Sequence, residues 1–160
     1  NKGGKCRKWF GNNEFIINWQ DDGREVMQLA KEEGRHAQDY YPMLKFKECV
    51  AWTSISSSSA SFRYKKNDLV DCAGMAYFPG DSNMIMFDLG LLNSIVSKRI
   101  LDIISPTLNY NAGEIGRIPV IETEVEKETI NKKARQCVAD SKQDWDSFET
   151  SWDFKKHPMI

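Results

Sequence analysis

The sequence predicts an α+β domain, a mixed β-sheet with helices packed on it, followed by a C-terminal helical connector. Three observations carry that reading. Short stretches at 14–19, 49–56 and 62–66 have the two-residue alternation or β-branched and aromatic content of strands. The run 84–92 is apolar on every side, as a buried helix is. From Thr123 onward the chain turns polar with a single narrow apolar stripe. These changes of character divide it into a basic linker (1–13), a domain (14–121) and a connector (122–160).

At 160 residues, 41% hydrophobic and 28% charged, the chain is large enough to bury one core. The net charge of −1 hides an asymmetry. Residues 1–66 hold 12 Lys/Arg against 8 Asp/Glu, a balance of +4, and residues 67–160 carry the remaining −5. The chain starts at Asn1 rather than methionine, and we read it as a piece of a longer protein.

In chain order, 1–13 is basic and glycine-rich, and it lacks the strand and the G-K-[ST] ending of a phosphate-cradling loop. Phe15, Ile17 and Trp19 would share one face of a strand. Asp22 with Glu25 fits a capping pattern for a surface helix over 23–33, closed by Gly34. Residues 35–48 read as irregular, with Tyr40-Tyr41-Pro42 able to stack on a base but read first as plugging a core rim. Strands at 49–56 and 62–66 flank a polar turn containing Ser57, Ser58 and Ser59. On the second strand Arg63 and Lys65 fall on one face, about 6.6 Å apart, and are expected on the solvated outside. Two short strands about Gly74 follow.

Asn93-Ser94 should stop the buried helix and cap the next, whose apolar face is read as Ile95, Val96, Ile100, Ile103 and Ile104. Ser105-Pro106 ends that helix, and 118–121 is read as the last strand. Thr123 with Glu126 forms a capping box for a helix with Ile130, Ala134, Cys137 and Val138 as its stripe. Ser141 is read as the cap of a further helix presenting Trp145, Phe148 and Trp152, able to dock on a neighbouring domain.

The chemistry of self-contained catalysis is missing from this pattern. His36 and His157 are the only histidines, and no G-x-S-x-G, H-E-x-x-H or G-x-G-x-x-G occurs. Cys6, Cys49, Cys72 and Cys137 are far apart without a C-x-x-C, which argues against zinc and for free thiols in a reducing cytosol. The longest apolar stretch, 84–96, is interrupted by Asp88, Asn93 and Ser94 and is too short to span a bilayer. No membrane partner is expected.

Leu92-Asn93-Ser94, then Pro106-Thr107-Leu108-Asn109-Tyr110, Gly113-Glu114-Ile115 and Ile118-Pro119-Val120, resemble target-recognition domains. Such domains occur in type I restriction specificity subunits and Taq-type adenine methyltransferases. The basic start NKGGKCRKWFGN and the run SKQDWDSFETSWDF followed by His157-Pro158 are similar to segments of the PglX family. These are the large adenine-specific DNA methyltransferases of BREX phage-defence systems.

The resemblance implies sequence reading without catalysis in this fragment. The catalytic domain, with its S-adenosylmethionine and an Asn-Pro-Pro-Tyr-type motif beside a flipped adenine, would lie elsewhere in the parent, and no cofactor is expected here. Implied partners are double-stranded DNA, the parent's methyltransferase domain and other phage-defence proteins. Candidate DNA-binding residues are Arg7, Lys8, Ser57, Ser58, Ser59, Arg63, Lys65 and Asn109. For Asn109 and Asn111, satisfying nearby backbone groups is the favoured role. The rival reading is a protein-interaction module docking through Trp145, Phe148 and Trp152.

Overall fold

The computed structural model describes residues 1–34, 44–71, 73–121 and 124–159. The readings of Tyr40-Tyr41-Pro42, of His36, of Cys72 and of Thr123 as a cap lie outside the described residues.

The centre is β1 (Cys49–Trp52), buried along its whole length. It pairs antiparallel with β2 (Phe62–Lys65) on one side and with β3 (Ala76–Tyr77) on the other, giving the order β2-β1-β3. Parallel pairing enters through Trp9. Its N–H donates to Phe62 O at 2.8 Å and its carbonyl accepts from Tyr64 N at 2.8 Å, covering the free edge of β2. Residues 14–19 form no strand. Phe15, Ile16 and Ile17 are exposed.

The predicted surface helix is α1 (Arg24–Glu32), which buries none of its residues. Its start differs from the expected cap. Asp21 and Asp22 have left-handed backbone, and Gly23 is the N-cap. Asp22 instead binds Lys45 at 2.9 Å and the Trp19 indole at 3.2 Å.

Helix α2 (Ile85–Leu92) lies against β1 and β2 on one side and α5 (Glu124–Asp146) on another, which is why its sequence is apolar all round. Gly90 permits the second contact. A Cβ there would sit 2.8 Å from Ile130 Cγ2. The core joins Val50, Trp52, Phe62, Leu89, Leu101 and Ala134. Trp52 donates from its ring nitrogen to Tyr110 O at 2.8 Å, so a buried indole satisfies its donor.

Asn93 ends α2 and clamps the sheet. Its Nδ2 donates to Phe62 O at 2.9 Å, and its Oδ1 accepts from Phe62 N at 3.2 Å. Ser94 then caps α3 (Ile95–Ile104) by accepting from Ser97 N at 3.1 Å. The L-N-S signature is thus a core residue, a bridge between helix and sheet, and a helix start.

Two helical expectations need correction. The buried side of α3 is centred on Ser97 and Leu101, and of the five residues read as its face Ile100 and Ile104 pack against the core while Ile95, Val96 and Ile103 are exposed. The five residues read as one face spread over half the circumference. Ser141 caps nothing. It lies inside α5, where its hydroxyl donates to Lys8 O and Phe10 O, both at 3.2 Å. The polar tail therefore packs on this core and on the N-terminal segment. Residues 118–121 form no strand either. Ile118 is buried, but Pro119 brings no donor and Ile121 is 84% exposed. Asn111 starts the short α4 (Ala112–Ile115), its N–H donating to Glu114 Oε2 at 3.0 Å.

Candidate nucleic-acid interface

The polar turn between β1 and β2 stands on a built base. Ser56 N donates to Leu108 O at 3.0 Å and Tyr110 N to Ser54 O at 2.7 Å, so the 105–110 loop pairs with the turn's first arm. The Tyr110 hydroxyl donates to Ser58 O at 3.2 Å. Ser56 and Ser58 share a hydroxyl contact at 3.1 Å. Ser57 and Ser58 are exposed and Ser59 half-buried, so this turn presents hydroxyls on a fixed backbone.

Beside it, Lys8, Ser59, Ser94, Lys98, Asp102 and Tyr110 ring a narrow crevice. Its interior is about 10 Å³, room for about one water. It is too small to engulf a ligand, and what it offers is its rim. Lys8 is exposed, with its ammonium 2.9 Å from Asn93 O. Lys98 pairs with Asp102 at 2.9 Å, and both are more than 40% exposed. An exposed pair one helical turn apart contributes at most about 0.5 kcal/mol, so Lys98 is available to a stronger anion.

Arg63 and Lys65 do not reach this surface. They were expected on the solvated outside, and both are buried, at 0% and 2% exposure. Strand alternation put them on one face correctly, but residues 5–13 lie over that face. Arg63 donates to Arg7 O at 3.2 Å, Ser61 Oγ at 3.3 Å and Thr53 Oγ1 at 3.1 Å. Burial pulls its guanidinium down to about 10. Lys65 donates to the Asn13 side chain and pairs with Asp68 at 3.2 Å. Burial lowers its ammonium, and Asp68 partly offsets this. In this arrangement both cations brace the sheet, and neither can touch a phosphate.

Arg7 is also engaged internally. It pairs with Asp144 at 2.5 Å, donates to Phe10 O at 2.9 Å and stacks 5.2 Å from the Trp145 ring. Asn109 is exposed, and its backbone lies in a bridge with Ile55. Of the eight candidates, Lys8, Ser57, Ser58 and Ser59 therefore gather on one accessible edge, with Asn109 on the loop that pairs with it. Reading the residues alone missed Lys98. Its signal was its place one turn after the Ser94 cap, on the cap's side of α3.

No family model matches this chain. Two curated proteins do. It is 33% identical, over 163 aligned positions, to the adenine-specific methyltransferase PglX of Lacticaseibacillus casei (strain Zhang), covering 100% of this chain and 13% of that protein. It is 38% identical, over 162 positions, to the adenine-specific methyltransferase BrxX of Escherichia coli O9:H4 (strain HS), covering 99% of this chain and again 13% of that protein. The chain spans about one eighth of the length of the relatives it matches, and it is homologous throughout to a segment of these adenine-specific methyltransferases.

Proposed function

We propose that this chain is the part of a larger adenine-specific DNA methyltransferase that engages duplex DNA at the site to be methylated, while a catalytic domain elsewhere in the parent binds S-adenosylmethionine and transfers the methyl group. The observation that carries the proposal is the gathering of Lys8, Ser59 and Lys98 around one crevice, with the exposed Ser57 and Ser58 beside it in the same turn. The scaffold of that edge, Asn93 clamped to Phe62, includes the very L-N-S stretch on which the resemblance to recognition domains rests. Lysines at a rim suit phosphates, and serines on a fixed turn suit both phosphate and base edges. The crevice itself does not fit a nucleoside-bearing cofactor, so no step of methyl transfer is assigned to these residues.

The test is a salt titration of DNA binding by the full methyltransferase. Lys8→Ala with Lys98→Ala should weaken binding on all sequences and reduce the slope of log K against log salt by about 2. Ser57→Ala and Ser58→Ala should change preference between sequences more than the slope. An unchanged slope in the double lysine variant would remove this edge from the interface.

A second reading has its own observation. Phe148 is 50% and Trp152 64% exposed, although Trp145 is buried and leaves the proposed stripe. These two aromatics support a protein-docking role if DNA binding by the parent is indifferent to every change at the serine edge.

A further inference from the structure

The two edges of the sheet are treated differently. Trp9 covers β2, as described. On the other side β3 is the outermost strand, covered only at its near flank, where Gly74 O accepts from Asn1 Nδ2 at 3.2 Å. Trp52 N donates to Met75 O at 2.9 Å and Ser54 N to Ala73 O at 3.1 Å, so residues 73 and 75 face β1. By antiparallel alternation the Ala76 amide and carbonyl point away from the sheet.

A cleft of about 260 Å³ opens against that edge, walled by Trp52, Leu91, Ile115, Ile118 and Val120. Ile118 and Val120, two apart, both line it, so the segment read from sequence as a last strand forms the far wall without pairing. The cleft lies just below the size range of small-molecule pockets, about 300–1,000 Å³, and suits one or two side chains instead. Its rim is apolar and open, with Tyr77 at 41% and Val120 at 54% exposure. From the rim Tyr77 reaches the buried Asp88, and burial together with that carboxylate raises the phenol's pKa. A fixed carboxylate there rejects an acidic occupant.

We propose that the slot between β3 and residues 116–120 receives an extended segment of the remaining polypeptide, which adds a strand to β3 and drops non-acidic, apolar alternate side chains into the cleft. An unpaired edge is a template for such addition. The relatives carry about seven times as much chain outside the homologous segment as within it, which supplies a source for the strand. The inference rests on the chain being part of a longer methyltransferase and is independent of DNA reading, so the two fail separately.

The test places the photo-crosslinking residue p-benzoylphenylalanine at position 120 of the full methyltransferase, without DNA. Val120 is half exposed, so the replacement leaves the core intact. The expected product is an intramolecular crosslink to a segment outside these 160 residues, alternately apolar. Ala112→Phe, which narrows the cleft from its exposed rim, should diminish that crosslink and speed amide exchange at Ala76 by at least about tenfold. Crosslinks confined to these 160 residues, crosslinks between isotopically distinguished copies, or no crosslink would each overturn the proposal.

Discussion

Cys49 shows how one buried side chain ties stability to pH. Burial raises its thiol from an ordinary 9.0 to about 12, with Asp68 adding to the shift. A raised folded-state value means that the folded chain keeps a proton the unfolded chain gives up. Its contribution is fully present below pH 9 and is lost as pH rises from there towards 12. We expect the protein to lose about 1 kcal/mol more than its Cys49→Ala variant between pH 8.5 and 10, measured by urea unfolding. Cys6, which is exposed, should react with a thiol reagent in the folded state, whereas Cys49 should need unfolding. The sequence could count the thiols without ranking them, since burial of β1 depends on both its neighbours. Arg63 makes the same point for charge. Alternation says which residues share a face, and only the covering segment says whether that face is wet.

Among the elements, the α2–α3 junction was legible and its neighbours were not. An apolar octet, an asparagine and a serine cap are local signals, and the structure follows them. Asn93→Ala should cost about 2 kcal/mol, because the Phe62 N–H loses its acceptor inside the core. Asn93→Asp keeps that acceptor but turns its second carboxylate oxygen onto Phe62 O and buries a charge without a cation, so its cost should be larger. Equal losses in a chemical-denaturation series would contradict this division of roles. The α3 face was misread because four isoleucines and a valine in ten residues leave no unique stripe. The small Ser97 faces inward, with its hydroxyl 2.6 Å from Leu91 O. Ser141 failed for a related reason. A serine after a polar stretch looks like a cap, and its real partners lie more than 130 positions away.

At the level of the whole molecule, the first ten residues are the surprise. They have no periodicity, so nothing local marks them as structural. Yet Trp9 pairs with β2, the Arg7 carbonyl receives Arg63, and the Arg7 side chain clasps α5. The Arg7–Asp144 pair alone contributes little, since Asp144 is 60% exposed. Stacking on Trp145 and the bond to Phe10 O add to it. Arg7→Ala should lower stability by about 1–2 kcal/mol, shifting the urea midpoint without changing the m-value. Arg7→Lys should recover less than half of the loss, because an ammonium lacks the flat, forked face. Full recovery by lysine would mean that charge alone holds the clasp. No described helix is long and apolar enough to cross a membrane. The 23-residue α5 is long, but its polar face excludes that role.

The clasp also sets an order of events during synthesis. Trp9 can pair with β2 as soon as Phe62 and Tyr64 have been made and have left the ribosome. The Ser141, Asp144 and Trp145 contacts must wait for about 80 further residues, roughly 4–16 s at ordinary elongation rates. During that interval the N-terminal segment is already held by Asn1 at Leu69 and Gly74, by Trp9 at β2 and by Asn13 at Lys65, so Arg63 and Lys65 are covered before α5 exists. The arrival of α5 then locks that covering from outside, through Asp144 on Arg7 and the Ser141 hydroxyl on Lys8 O and Phe10 O.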